Sequence, residues 1–514
     1  MSNNNFYQTL QAAFPEDKDA IAVFSADKNY SWREIDDASA RLANWLHSLD
    51  IPKASRIAVQ VEKSVEAMML YLATLRAGHV FLPLNTAYQS GEITYFIENA
   101  QPAVLVCSPA NQSWVEPLGQ QAGVKHIYTL GEDRSGTLLP AASVHSHAHV
   151  PVDVQADDLA VIIYTSGTTG RSKGAMLSHE NIRSNALVLK SYWGWQPSDV
   201  LIHALPIFHV HGLFVAIHGA LINGTPMIWM NKFDPKVAIA HMSKGTVFMG
   251  VPTLYTRMLA EPELTPLSTS HMRLFISGSA PMLVETHQQW RERTGHTILE
   301  RYGMSETVML TSNPFNADMR FGGKSERRIG TVGFPLPGVT LRVVGDDGRV
   351  LATDEIGGIQ VKGPNVFAGY WQMPEKTREE FTYDGFFKTG DVGKVDADGY
   401  VTIVGRSKDL IISGGYNVYP AEVESYLNNL HGVAESAVIG VPHPDFGEVG
   451  VAVVVPKAGV ELDPQALIQT IKQQLANYKV PKYCEVVSEL PRNTMGKVQK
   501  NLLRNAHSQR FMKG

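Results

Sequence analysis

Apolar and polar positions along the chain follow two alternating periods. In 33-REIDDASARLANWLHS-48, Ile35, Ala38, Leu42, Trp45 and Leu46 recur at helical spacing and mark one apolar face. The run 57-IAVQV-61 then reads as a strand, 65-VEAMMLYLATLRAG-78 as a helix and 80-VFLPL-84 as a second strand. The order returns with the strand 159-LAVIIY-164, a helix over 180–190 and the strand 201-LIHAL-205. Such alternation predicts an α/β fold of parallel sheets covered by helices. Ligands of such sheets lie in crevices at the carboxyl ends of strands.

From Thr331 onward the pattern changes. The short runs 339-VTLRVV-344, 358-GIQVKG-363 and 400-YVTIVG-405 are separated by Asp-Gly pairs at 347–348, 384–385 and 398–399, which predict turns and a β-rich subdomain. After Gly405 the pattern changes again. Helix 421-AEVESYLNNL-430, strands 435-ESAVIGV-441 and 450-GVAVVVP-456, and a helix over 463–476 predict a separate α+β unit of ordinary domain size. Two domains are therefore expected, 1–405 and 406–514, with a boundary near Arg406–Asp409.

A chain of 514 residues, 44% hydrophobic and 18% charged, fits a soluble globular protein. The net charge of −5 offers no basic face for nucleic acid or an anionic membrane. Only two cysteines occur, Cys107 and Cys484, far apart, which excludes a disulfide framework or a cysteine zinc site and suits a reducing compartment. The N-terminus MSNNNFYQTL lacks the pattern of a signal peptide. The apolar window 209–230 carries three histidines and Asn223, a poor membrane span. A cytoplasmic protein is expected.

The segment 164-YTSGTTGRSKGAMLSH-179 carries the first chemistry. Seven of the nine residues from Thr165 to Lys173 are Ser, Thr or Gly, and the ninth is the lysine. The spacing is not that of a Walker A loop, which places Gly-Lys before Ser or Thr. Glycines still let backbone N–H groups approach an anion, hydroxyls add donors, and Lys173 adds charge. A phosphate loop and a polar surface loop both fit this stretch alone.

Four further segments decide between them: 300-ERYGMSET-307, 384-DGFFKTGD-391, 405-GRSKDLIISGGYNVYPAEVE-424 and 491-PRNTMGKVQK-500. With the loop, and in this order, they resemble the core motifs of the adenylate-forming superfamily of acyl-CoA synthetases, luciferases and adenylation domains. The resemblance spans about residues 30 to 500. It implies a large N-terminal domain, a small mobile C-terminal domain hinged at Lys408, and a two-step ligation that uses ATP, Mg2+ and coenzyme A.

By that resemblance Thr165, Ser166, Gly167, Thr168, Thr169, Gly170 and Lys173 would wrap the β- and γ-phosphates. Glu306, with Thr165, would hold the magnesium ion. Gly278, Ser279 and Ala280, with Glu300, Arg301, Tyr302, Gly303, Met304 and Ser305, would border the nucleotide, Tyr302 lying against adenine. Asp391 would accept the ribose hydroxyls, Arg406 would reach the nucleotide, and Gly414 and Gly415 would lie beside the pantetheine arm. Lys497 would bridge the carboxylate and α-phosphate oxygens. Its acetylation by a lysine acetyltransferase would remove that charge.

The acid itself is addressed by 206-PIFHVHGLFVA-216 and 251-VPTLYTRML-259. His209 would face the pocket, with Ser279 and Met304. Three nearby histidines without a cysteine or acidic partner make a weak case for a metal. Arg257 is the notable residue, because a buried guanidinium facing a hydrocarbon tail would be unpaired and costly. Facing a second carboxylate it would form a charge-assisted pair. Arg273 is a fallback, although its place at the start of a strand suits a structural role. Within the superfamily the motif set looks most like malonyl-CoA synthetases. The alternatives are a medium-chain fatty acyl-CoA or aryl-CoA synthetase, a luciferase-like or peptide-synthetase module, and a nucleotide sensor. A sensor would have no use for Lys497.

Overall fold

A computed structural model of the protein describes residues 3–165, 172–414, 416–494 and 496–512. Two mixed sheets organise the N-terminal four hundred residues. The first orders Phe334–Pro335, Val308–Ser312, Leu299–Met304, Leu274–Ser277, Val247–Gly250, Leu201–His203, Met227–Trp229, Ile21–Phe24 and Tyr30–Ser31. The second orders Gly369–Tyr370, Lys173–Ser178, Leu159–Thr165, Val80–Pro83, Arg56–Gln60, Val104–Cys107 and His126–Thr129. Their central strands are parallel, and antiparallel pairs occur only toward the edges.

The helices form where local chemistry favours them. Ser31 and Glu34 make a reciprocal capping box at the start of Trp32–Ser48, which buries Ile35, Leu42, Trp45 and Leu46 as the spacing predicts. Ser64 caps Val65–Arg76, and that helix is buried along its whole length. One apolar core joins it to residues of both sheets, among them Ile57, Phe81, Leu274 and Leu299.

The β-rich region is an antiparallel sheet of Thr340–Val344, Gly357–Lys362, Phe387–Val395 and Val401–Arg406. The chain then turns through Ser407–Asp409 into a separate sheet built on Val433–His443 and Gly447–Pro456. That sheet carries an apolar cluster on each face, and neither shares a residue with the main core. A few polar contacts join the two units. Asn85 donates to Thr494 Oγ1 at 3.1 Å, and Lys457 pairs with Glu285 at 2.8 Å. Among the described residues no helix is long and apolar enough to cross a membrane.

One strand has no counterpart among the elements expected. Lys173–Ser178 is a strand, paired antiparallel with Leu159–Thr165 so that Thr165 faces Lys173. The loop between them therefore joins two strands of a hairpin. The run KGAMLS hides this because it lacks β-branched residues. Its glycine is required by packing: a Cβ on Gly174 would lie 2.9 Å from Ile162 Cγ2.

The fold also sets a pH response. Burial holds the imidazoles of His79 and His179 down to about 4 and that of His218 down to about 3. The unfolded chain takes up these protons near pH 6.5, the folded chain only near 3 to 4. Folding thus loses stability as pH falls from about 6.5 toward 4. A thermal-melt series should show the midpoint dropping over that window, with a shallower drop in His179→Gln. A midpoint constant from pH 7 to 5 contradicts this.

Candidate active site

The residues of the four core segments converge where the N-terminal sheets meet the C-terminal unit. The antiparallel register of Phe387–Val395 with Val401–Arg406 sets Asp391 opposite Arg406. Asp391 is buried, and both its oxygens are engaged. Tyr302 Oη donates to Oδ2 at 2.5 Å and Arg406 Nε lies 2.7 Å from Oδ1. Asp391 sits in the middle of a strand, not at the end of a turn. Its expected role as acceptor of ribose hydroxyls would require Tyr302 or Arg406 to share it.

Glu306 lies at the tip of a tight hairpin between Leu299–Met304 and Val308–Ser312. Two features force that geometry. Val308 has φ +55, a strained value for a β-branched residue, and a Cβ on Gly303 would come within 1.9 Å of Val308 O. The Glu306 carboxylate is buried, and Tyr370 Oη donates to it at 2.9 Å. Burial pushes its carboxyl up, while the Tyr370 hydroxyl and the charges of Lys173 and Arg406 oppose that. A buried carboxylate held in this way fits a hard cation, which restores its ionised form.

At the hairpin of Leu159–Thr165 and Lys173–Ser178, Thr165 Oγ1 donates to Lys173 O at 3.4 Å. Lys173 Nζ lies 4.2 Å from the centre of the Tyr370 ring and 3.5 Å from Glu380 Oε1. Ser166, Gly167, Thr168, Thr169 and Gly170 lie outside the described residues, as does Gly415. Gly414 adopts φ +57 and donates its N–H to Phe446 O at 2.8 Å, so its contacts are with the C-terminal unit.

Lys497 belongs to a short turn closed by reciprocal bonds. Asn493 N donates to Lys497 O, and Lys497 N donates to Asn493 Oδ1, both at 2.9 Å. A Cβ on the intervening Gly496 would lie 2.8 Å from Thr253 Oγ1, so the turn rests on the helix Pro252–Leu259 of the larger unit. The surrounding protein, and then the charge of Arg406, push the Lys497 ammonium down, opposed by Asp391 and Asp409. Burial likewise brings Lys408 down to about 8.

The interior beside His209 and His211 holds a different arginine from the one expected. Arg257 is exposed, its guanidinium 4.9 Å from the Phe233 ring centre. The helix Pro252–Leu259 buries Tyr255 and Met258, and that choice of inner face leaves position 257 open to solvent. The expectation of a buried guanidinium there is therefore corrected. Arg273 pairs with Asp199 at 2.5 Å and braces its strand.

The buried cation beside His209 and His211 is Arg301. It is 3% exposed, and its Nε and Nη2 have no hydrogen-bond partner among the described residues. Gly278 makes room for it, since a Cβ there would sit 2.5 Å from Arg301 Cζ. Burial pushes the guanidinium down to about 9. Around it stand His209, held to about 4 by burial and by the charges of Arg301 and Lys497, and His211, held well below its usual range for similar reasons. His211 Nδ1 lies 3.3 Å from Ser279 Oγ. Ser279 has φ +72, another strained position at the site. The turns that aim His209 and His211 depend on Gly212, whose Cβ would meet Pro206 O at 2.0 Å. Met304 and Ser305 are partly exposed along the hairpin, as is Ala280 in its turn.

Glu300 was expected beside the nucleotide. Its carboxylate instead accepts from Met282 N at 3.1 Å and contacts His287 Nε2 at 3.0 Å, fixing the turn that follows Ala280. Tyr370 and Glu380 were not singled out from the sequence. Tyr370 lies between the quoted segments 300–307 and 384–391 without a chemical signature of its own, and Glu380 lies in an ordinary polar helix.

The comparison with known proteins agrees with this architecture. Residues 10–371 match the model of the AMP-binding enzyme family, and residues 422–497 match that of its C-terminal domain. The chain belongs to the AMP-binding enzyme family. This family member is 34% identical to the mitochondrial malonate–CoA ligase ACSF3 of Homo sapiens, over 95% of this chain and 90% of that one. It is also 34% identical to a feruloyl-CoA synthase of an Amycolatopsis species, over 94% and 95%. Among solved structures, ATP-bound MatB from Rhodopseudomonas palustris is 51% identical and superposes with a TM-score of 0.95 over 99% of this chain and 100% of that one. The apo form of the same protein, at the same identity and coverage, superposes at 0.84. The chain is thus overall closer to the ATP-bound arrangement.

Proposed function

We propose that the protein is an ATP-dependent malonate–CoA ligase that forms malonyl-CoA, AMP and pyrophosphate. One malonate carboxylate attacks the α-phosphorus of ATP, pyrophosphate leaves, and the thiol of coenzyme A then displaces AMP from the malonyl-adenylate. The observation that carries this reading is Arg301: a buried guanidinium with two unpartnered nitrogens beside His209, His211 and Ser279. A second carboxylate satisfies those donors, whereas an aryl or alkyl chain leaves them unpaired at a cost of several kcal/mol. The human malonate–CoA ligase and the Amycolatopsis feruloyl-CoA synthase are both 34% identical to this chain, so those two identities alone do not choose the acid.

In the first step two anions meet, and the chain answers with positive charge. Lys173 takes the β- and γ-phosphates, Arg406 takes the nucleotide, and Lys497 bridges the attacking carboxylate and the α-phosphate. Glu306, with Thr165, would hold a magnesium ion, which would neutralise charge on phosphate oxygens. Neutral His209 borders the acid without adding a further charge. For the second step residues 406–514 turn about Lys408, which withdraws Lys497 and brings Gly414 and Gly415 to the adenylate. Acetylation of Lys497 by a lysine acetyltransferase would remove the charge that bridges the two anions. Both cysteines are free thiols, in keeping with a cytoplasmic setting.

Malonate, methylmalonate, hexanoate and coumarate should be assayed side by side with ATP and coenzyme A. We expect kcat/KM for malonate to exceed that for hexanoate or coumarate by at least about 10⁴, as for a site built to pair a polar group. A preference for either monocarboxylate would remove the malonate assignment and leave an acid–CoA ligase of another specificity.

A further inference from the structure

The lysine of the phosphate hairpin already has an anionic partner, and the fold fixes that partner in place. Glu380 Oε1 lies 3.5 Å from Lys173 Nζ, and the two side chains are only 23% and 21% exposed. Gly369–Tyr370 pairs with Lys173–Ser178, Tyr370 opposite Ala175, and Trp371 N donates to Gly174 O at 2.7 Å. The helix Pro374–Glu380 is tied to that strand, because Thr377 Oγ1 accepts from Tyr370 N at 2.9 Å. Gly369 has φ +146 and permits the contact, since a Cβ there would lie 2.5 Å from Thr377 Cγ2. Glu380 is therefore positioned by the same strand that carries Tyr370 beneath the ammonium of Lys173.

Glu380 is also shared. Lys376 Nζ lies 3.1 Å from Glu380 Oε1 and 3.0 Å from Glu379 Oε2. The contact to Lys173 is the longer of Glu380's two ion pairs, so Glu380 can release Lys173 and keep a cation. A surface ion pair between flexible side chains has little energetic effect. This one joins two well-covered groups, one of which has phosphate to bind.

We propose that Glu380 is a counter-ion switch for Lys173: it holds the lysine when the phosphate site is empty, yields it to the β- and γ-phosphates, and recaptures it as pyrophosphate departs. The idea rests on the assignment of Lys173 to those phosphates under the proposed function. Competition from Glu380 weakens the hold on ATP and on pyrophosphate alike. Its benefit lies in product release, because pyrophosphate leaves a lysine that has another anion to return to.

The test is direct binding of ATP and of pyrophosphate, by calorimetry with magnesium present, to the wild type, Glu380→Gln, Lys376→Met, Lys173→Met and the Glu380→Gln/Lys173→Met pair. Neither ligand requires the acid, so the outcome does not depend on malonate. Glu380→Gln should tighten pyrophosphate binding about fivefold, the range for an ion pair of this exposure. Lys376→Met should weaken it, because Glu380 then turns wholly to Lys173. In the Lys173→Met background Glu380→Gln should have no further effect. Unchanged pyrophosphate affinity in Glu380→Gln, with only a lower melting temperature, overturns the switch and leaves a structural ion pair. Tightening that persists without Lys173 also overturns it. If Lys173→Met binds both ligands as the wild type does, the phosphate assignment itself fails, and the switch with it.

Discussion

Lys497→Ala is expected to lower malonyl-adenylate formation by about 10³-fold, the scale for loss of a preorganised charge at a reacting centre. Conversion of supplied malonyl-adenylate to malonyl-CoA should stay within about threefold of wild type under the same rule. The asymmetry follows from where the charge stands. Lys497 is carried by a turn of the C-terminal unit that rests on Thr253, within electrostatic reach of Arg406, Asp391 and His209. Its surroundings push the ammonium down, so it is under-stabilised until anions arrive. Carboxylate and α-phosphate oxygens bring that compensation most fully when they are closest, which makes the contact stronger in the transition state than before it. The thioester step brings up an uncharged acyl-adenylate carbonyl and has no such need. Single-turnover assays of each half-reaction separate the two. Equal losses in both would show that Lys497 supports the fold of the site and not the first step. Acetylated Lys497 should behave as the alanine variant does.

The body of the fold was legible because its signals are local. Strand–helix alternation, the Ser31–Glu34 cap and the all-apolar run at 65–76 require nothing beyond neighbouring residues. The Asp-Gly turns likewise announced the antiparallel sheet of 340–406. What escaped depends on distant partners. The strand Lys173–Ser178 has weak β propensity and exists because it lies between Leu159–Thr165 and Gly369–Tyr370. The place of Glu306 at a hairpin tip requires Val308 in a left-handed conformation that its side chain disfavours, and only the surrounding sheet enforces it. The exposure of Arg257 and the burial of Arg301 escaped for a similar reason. Arg257 was chosen for its place in a helix whose inner face the sequence does not reveal. Arg301 was assigned to the nucleotide because its neighbour Tyr302 is. Along an extended strand adjacent side chains point to opposite faces, and a motif read as one unit conceals that.

Arg301→Met should therefore separate acid recognition from the rest of the chemistry. We expect kcat/KM for malonate to fall by about 10²–10³, the effect of removing one partner of a buried charge pair. Activity with butyrate should be retained or should rise, because methionine fills much of the volume and wants no partner. Thermal stability should hold or increase, since the substitution removes a guanidinium with unpartnered Nε and Nη2 from a buried site. That combination distinguishes a recognition role from a structural one, in which activity on every acid and stability would fall together. Arg257→Met is the comparison. Its guanidinium is exposed over Phe233, so its loss should cost no more than about fivefold on malonate. If Arg257→Met loses as much malonate activity as Arg301→Met, the distal carboxylate is held from the exposed helix and Arg301 only completes the pocket. If Arg301→Met still prefers malonate over butyrate, the buried guanidinium serves some other purpose and the acid must be recognised by His209, His211 and Ser279 without it.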